Sequence, residues 1–194
     1  MHDSKRSQLS EVRLTAFHSI KQKEIEMGMD VYGENPKQNK TIEDFPVYHK
    51  YKEMDWKDKE KDFKEDNRLQ NQYHKEWDDF EGANPGVYFR NNCWWWRPLW
   101  NYCYHIADDL ISEELFNNGH SNSGEGLDDK GAKLLGNRLL QQIREGKTIK
   151  YQAEYMEEQE ALDKDDFNKH YPFDIENVKE FAEFCIESGG FKIC

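Results

Sequence analysis

The sequence predicts a predominantly helical α+β single domain with a small mixed or antiparallel sheet. Three observations carry that expectation. Apolar residues recur at helical spacing through most of the chain, three short segments near 29–32, 87–90 and 191–193 alternate like strands, and 194 residues suffice for one domain with a core but not for two full-sized ones.

Residues 1–26 place Leu9, Val12, Ala16 and Ile20 at near-helical spacing on a charged strip, which reads as a helical extension ahead of a domain spanning 27–194. Met29-Asp30-Val31-Tyr32-Gly33 alternates apolar and polar before Pro36, a strand closed by a turn. Residues 37–84 are dense in Lys, Asp and Glu, a composition usually belonging to a solvated face. Yet Trp56 and Phe63 lie seven apart, and Leu69, Tyr73, Trp77 and Phe80 fall at i, i+4, i+8 and i+11, so one or two helices with an aromatic seam are expected in this charged insertion.

Asn84-Pro85-Gly86 is a turn leading into the strand candidate Val87-Tyr88-Phe89. Pro98 suits the first turn of a helix whose buried face is Leu99, Cys103, Ile106 and Leu110. Residues 117–126 then form a polar loop. A helix over 127–145 turns Leu134, Leu135, Leu139 and Ile143 inward, with Asp128 or Asp129 at its positive end and Gly146 at its close, and another follows over 148–162. Asp174 caps the last helix, which stops at Gly189-Gly190, and Phe191-Lys192-Ile193 is free to pair near Val31 or Val87.

Only 36% of residues are hydrophobic and mean hydropathy is −1.10, but 14% are aromatic, and a few clusters of rings offset the ordering entropy of so polar a chain. A net charge of −12 with no Lys/Arg-rich block disfavours long nucleic acid as a partner, while leaving room for a small phosphate-bearing ligand held by one or two arginines. No apolar run approaches a membrane span. Cys93, Cys103, Cys185 and Cys194 form no CxxC pair, so free thiols and a cytoplasmic setting are expected.

The run Arg90-Asn91-Asn92-Cys93-Trp94-Trp95-Trp96-Arg97-Pro98-Leu99-Trp100 is where a site is expected. Adjacent indoles point in different directions on either a helix or a strand, so not all three can enter one core. Guanidinium groups stack on aromatic faces while offering a fork to phosphate, and side-chain amides read base edges or sugar hydroxyls. The expected ligand-binding set is Arg90, Asn91, Asn92, Trp94, Trp95, Trp96 and Arg97, joined by His120 and Asn122 from the loop. The competing reading makes the tryptophans core residues and the arginines partners of carboxylates. A metal set of His105, Asp108 and Asp109 with His120, a thiol nucleophile at Cys93 or Cys103, and an acid or base at Glu125, Asp128 or Asp129 each lack a distinguishing signature, so no cofactor, metal or catalytic residue is expected.

Gly28-Met29-Asp30-Val31-Tyr32-Gly33 with Asn35-Pro36, Tyr88-Phe89-Arg90-Asn91-Asn92 with Trp94-Trp95-Trp96-Arg97-Pro98-Leu99, Asn118-Gly119, and Phe184 with Ser188-Gly189-Gly190-Phe191 resemble a group of small phage and bacterial proteins with no settled activity. The resemblance covers 27–35 and 86–194, so the extension and the insertion are candidates for covering the site or supporting a homo-oligomer. A phage setting, with the aromatic and arginine run and no catalytic set, leads to the expectation of a phage-type protein in the host cytoplasm. It would sequester a nucleotide-derived immune signal, a cyclic ADP-ribose derivative or a cyclic dinucleotide, without turnover. The rival classes are a nucleotide-cleaving or nucleotide-modifying enzyme and a protein-binding inhibitor with the indoles as its interface.

Overall fold

The computed structural model describes residues 28–194, so the helix expected over residues 1–26 lies outside the described residues. Within them the chain forms eight α-helices and one four-stranded antiparallel sheet, the helical α+β fold that the sequence predicts. The strands are β1 (Gly28–Gly33), β2 (Tyr88–Asn92), β3 (Gly126–Asp128) and β4 (Gly190–Ile193), ordered β2-β1-β4-β3. The closing segment pairs with the strand of Val31, which stands opposite Phe89 on one side and Ile193 on the other. Strand alternation sends Met29, Val31, Phe89, Phe191 and Ile193 into the core. β3 is absent from the strands that the sequence predicts, because three residues are too few for alternation to register. It closes tightly on β4: a Cβ on Gly126 would stand 1.7 Å from the Phe191 carbonyl oxygen.

The charged insertion folds as a 3-10 turn, Ile42–Asp44, and three helices, α1 (Pro46–Lys52), α2 (Trp56–Glu65) and α3 (Asn67–Ala83), rather than one or two. Phe45, Tyr48, Tyr51, Phe63, Tyr73 and Phe80 make a separate buried cluster, with Leu69 and Trp77 packed against it. Trp56 is the exception to the expected seam. It opens α2 beside the capping Asp55 and is 57% exposed. Polar groups tie the segment down. Glu76 Oε2 accepts the amides of Val47 and Tyr48 at 2.7 and 2.9 Å, satisfying donors at the start of α1. Buried Asn84 accepts the amides of Asn39 and Lys40 and donates to the Phe80 carbonyl, closing both ends of the insertion on one side chain.

The remaining helices are α4 (Cys93–Ala107), α5 (Glu113–Asn118), α6 (Asp129–Arg144), α7 (Lys147–Ala161) and α8 (Ile175–Glu187). Helix α4 starts at Cys93 rather than at Pro98, because Asn92 Oδ1 accepts the amides of Trp94 and Trp95, each at 3.1 Å. Pro98 therefore sits inside the helix, at the cost of one amide in its ladder. The expected loop over 117–126 begins inside α5, and the helix expected from 127 starts two residues later because Asp128 caps it, accepting the Gly131 amide at 2.7 Å. Among the described residues no helix is long and apolar enough to cross a membrane.

Two glycines separate local propensity from packing. Around Gly82, in α3, a Cβ would find open space, with nothing within 4 Å, whereas a Cβ on Gly136, in α6, would meet the Ala182 carbonyl oxygen of α8 at 2.5 Å. Gly82→Ala is expected to raise stability by about 0.5–1 kcal/mol from helix propensity. Gly136→Ala is expected to lower it by about 1–3 kcal/mol, since helix separation outweighs the same propensity gain. Urea denaturation of both variants checks the opposite signs.

Candidate functional site

The tryptophan run is sorted by the helix it starts. Trp96 is completely buried, Trp94 is half-buried with its ring centroid 4.9 Å from that of Tyr171, and Trp95 is 36% exposed. One turn on from Trp96, Trp100 stacks against it at 5.4 Å, also fully buried. Their indole N–H groups leave the core through carbonyls of the next segment: Trp96 Nε1 donates to Gly119 at 2.7 Å and Trp100 Nε1 to Phe116 at 3.0 Å. Gly119 has to be glycine here, because a Cβ would lie 2.4 Å from Trp100 Nε1. The end of α5 is thereby pinned to α4, and His120, the next residue, is brought to the same clefts as Arg97.

Two clefts meet at that pair, both lined by Arg97 and His120. The first, about 400 Å³, is completed by Pro98 and Asn101 of α4, Tyr155 and Gln159 of α7, and Asn168 and Tyr171. The second, about 450 Å³, is bounded by Gly28 and Asp30 of β1, Arg90 of β2, Cys93, and Ser121 and Asn122 beyond α5. Each falls within the roughly 300–1,000 Å³ typical of small-molecule sites. Gly28 lets the Arg90 side chain lie close over β1: a Cβ there would stand 2.7 Å from Arg90 Nε, and the exposed end of that side chain would have to shift.

The two arginines differ in what holds them. Arg90 is 57% exposed and lies 3.6 Å from Asp30 Oδ1, a carboxylate that also accepts a hydrogen bond from the Tyr88 hydroxyl. Arg97 is partly buried and donates to the Tyr171 hydroxyl, with its guanidinium 5.4 Å from that ring's centroid. Arg97 forms no ion pair among the described residues, where the paired arginines are Arg90 and Arg138. Beside it, burial and then the Arg97 charge hold the His120 imidazole below its ordinary pKa, so the ring is neutral at neutral pH. The Nδ1 atom of His120 and the Oε1 atom of Gln159 are both buried without a hydrogen-bond partner among the described residues, and both residues line the first cleft.

Of the residues expected at the site, Arg90, Arg97, His120 and Asn122 line these clefts. Asn122 donates to the Gly28 carbonyl at 3.4 Å, bringing its segment onto β1. Asn92 spends its side-chain oxygen on capping α4, and Asn91 donates to Asn177 Oδ1 at 2.9 Å. Trp94, Trp95 and Trp96 are not among the lining residues of either cleft, so the structure places an arginine rather than an indole at their centre. Tyr155, Gln159, Asn101, Asn168 and Tyr171 join the first cleft without any sequence signal that selects them. Tyr155 and Gln159 stand four apart on α7, a spacing that marks a shared face but does not distinguish cleft from solvent.

Among the described residues no group of three or more His, Cys, Asp or Glu side chains is placed to hold a metal ion. Asp109 is drawn instead to Arg138, which holds its carboxyl below the ordinary range. Cys103 is wholly buried and its thiol pushed far up by desolvation, the opposite of an activated nucleophile. Comparison with protein-family models, curated proteins and solved structures finds no match for the chain.

The depressed His120 pKa fixes the sign of a pH effect. The unfolded chain takes up the proton near the ordinary value of 6.5 and the folded chain only below it, so protonation favours unfolding. The contribution is fully present above about pH 6.5 and is lost as pH falls from there toward the folded-state pKa. His120→Gln should therefore lose less stability than the parent between pH 7 and pH 5.5, measured by urea denaturation. Parallel pH profiles for the two proteins would contradict it.

Proposed function

We propose that this chain is a phage-type binding protein that sequesters a small nucleotide-derived signal, of the cyclic ADP-ribose or cyclic dinucleotide kind, and holds it intact. The observation that carries the reading is Arg97: a partly buried guanidinium without an ion pair among the described residues, at the junction of two ligand-sized clefts. In a chain of net charge −12, a cation left available at such a point is suited to an anion from outside. Arg90 supplies a second positive charge in the adjoining cleft, and Asn101, Asn168 and Asn122 supply amides for orientation. The ring beside the guanidinium is Tyr171, whose centroid lies 5.4 Å from it.

Holding is favoured over turnover because the clefts lack a matched acid and base. Asp30, the carboxylate of the second cleft, is already engaged by Tyr88 and Arg90. One observation favours the enzyme reading, the neutral His120 imidazole with a buried unpartnered nitrogen, which has the protonation state of a general base.

A thermal-shift series with AMP, ADP-ribose, cyclic ADP-ribose and cyclic dinucleotides separates these readings. Binding raises the melting temperature with the logarithm of excess ligand. Arg97→Ala is expected to weaken it about ten- to hundred-fold, the worth of a hydrogen-bonded charge. Mass spectrometry of the ligand released by heat should return the mass that was added. An altered mass would establish turnover, and no shift with any compound would overturn the proposal.

A further inference from the structure

Within the first cleft, the two orphaned atoms constrain the ligand more closely than its size does. Gln159 Oε1 only accepts hydrogen bonds, so whatever reaches it must donate. His120 Nδ1 belongs to a neutral ring, in which it is an acceptor in one tautomer and a donor in the other. A buried polar atom left unpaired costs about 1–3 kcal/mol, and two of the three such side-chain atoms among the described residues belong to residues that line this one cavity, the third being Glu187 Oε2. Their neighbours are accounted for differently: the Tyr155 hydroxyl donates to the Tyr171 carbonyl at 3.0 Å, and the Tyr171 hydroxyl accepts from Arg97.

A hydroxyl both donates and accepts, so it satisfies Gln159 Oε1 and either tautomer of His120. An exocyclic amine of a base only donates, and a phosphate oxygen only accepts and repels Oε1. We infer that the first cleft takes the free hydroxyls of a ribose onto Gln159 and His120, with the phosphate ester of the same ribosyl unit on Arg97. The inference rests on the nucleotide-binding reading above and narrows it. It selects ADP-ribose-like ligands, whose riboses keep two adjacent hydroxyls, over cyclic dinucleotides, in which the phosphodiester consumes one hydroxyl of each ribose. The ribosyl phosphate occupies the first cleft and the remainder of the ligand passes Arg97 into the second.

Isothermal titration calorimetry of the full chain with AMP, dideoxy-AMP (lacking both ribose hydroxyls), ADP-ribose and cyclic di-AMP tests this, on the parent, Gln159→Leu and Arg97→Ala. AMP should bind the parent about ten-fold more tightly than dideoxy-AMP, and ADP-ribose more tightly than cyclic di-AMP. In Gln159→Leu the AMP preference should shrink to within about three-fold, with the heat-unfolding midpoint of the free variant at or above the parent's, because an unpaired buried acceptor has been removed. Arg97→Ala should weaken all four ligands together. Equal binding of AMP and dideoxy-AMP to the parent would overturn the hydroxyl assignment while leaving nucleotide binding intact. A Gln159→Leu variant that folds and keeps the full preference would also overturn it. If none of the four binds the parent, the functional reading itself fails, and this inference with it.

Discussion

Two indole hydrogen bonds determine where everything near the clefts stands. Trp96 and Trp100 are sealed in the core and stacked, yet each carries an N–H that must be satisfied there, and the acceptors are the carbonyls of Gly119 and Phe116. Losing either bond would leave a donor and an acceptor unpaired in a low-dielectric interior, so the end of α5 cannot drift from α4 without a cost comparable to a good fraction of a domain's stability. His120 follows Gly119 directly. Its placement at the same clefts as Arg97 is thus set by core packing, with a rigid element behind each of the two residues.

The same economy explains the charge arrangement. Most ion pairs of the described residues lie on exposed side chains, where such pairs contribute little. Arg97 is partly buried and is held by a tyrosine hydroxyl and ring instead of a carboxylate. A guanidinium oriented by neutral groups keeps its full charge for a ligand. A carboxylate partner would have neutralised it before any ligand arrived. The neighbouring imidazole, kept neutral by burial and by that charge, avoids adding a second cation that would have to be desolvated beside the first.

Much of the fold is legible in the sequence because it rests on periodicity. The aromatic spacing of Tyr73 and Phe80, the strand alternation around Val31 and Phe89, and the closing Phe191-Lys192-Ile193 all follow from side-chain direction alone. The three adjacent indoles do take different environments, as their directions require, but direction alone does not tell which of them matters to the clefts. Trp96 acts through its N–H on Gly119, while Trp95 faces outward. The start of α4 is misleading in the sequence because Pro98 reads as a helix-start signal, and the cap that overrides it, Asn92, has the side chain of a ligand-binding residue as much as of a cap. Gln159 and Tyr171 are invisible for a different reason. Cleft membership depends on how α7 and the segment after it lie across α4, a long-range relation that no local spacing encodes.

The central claim is that Arg97, and not an exposed indole, is the contact made by the ligand's charge. The most direct measurement is a proton–nitrogen correlation spectrum of the arginine Nε–H and tryptophan indole N–H groups during titration with ADP-ribose, with Arg97→Lys and Trp95→Phe used for assignment. The account predicts a saturable displacement of the Arg97 signal, with the Trp96 and Trp100 indole signals retained in their hydrogen-bonded positions and Trp95 unmoved. A spectrum in which Trp95 shifts and Arg97 stays in place would contradict it.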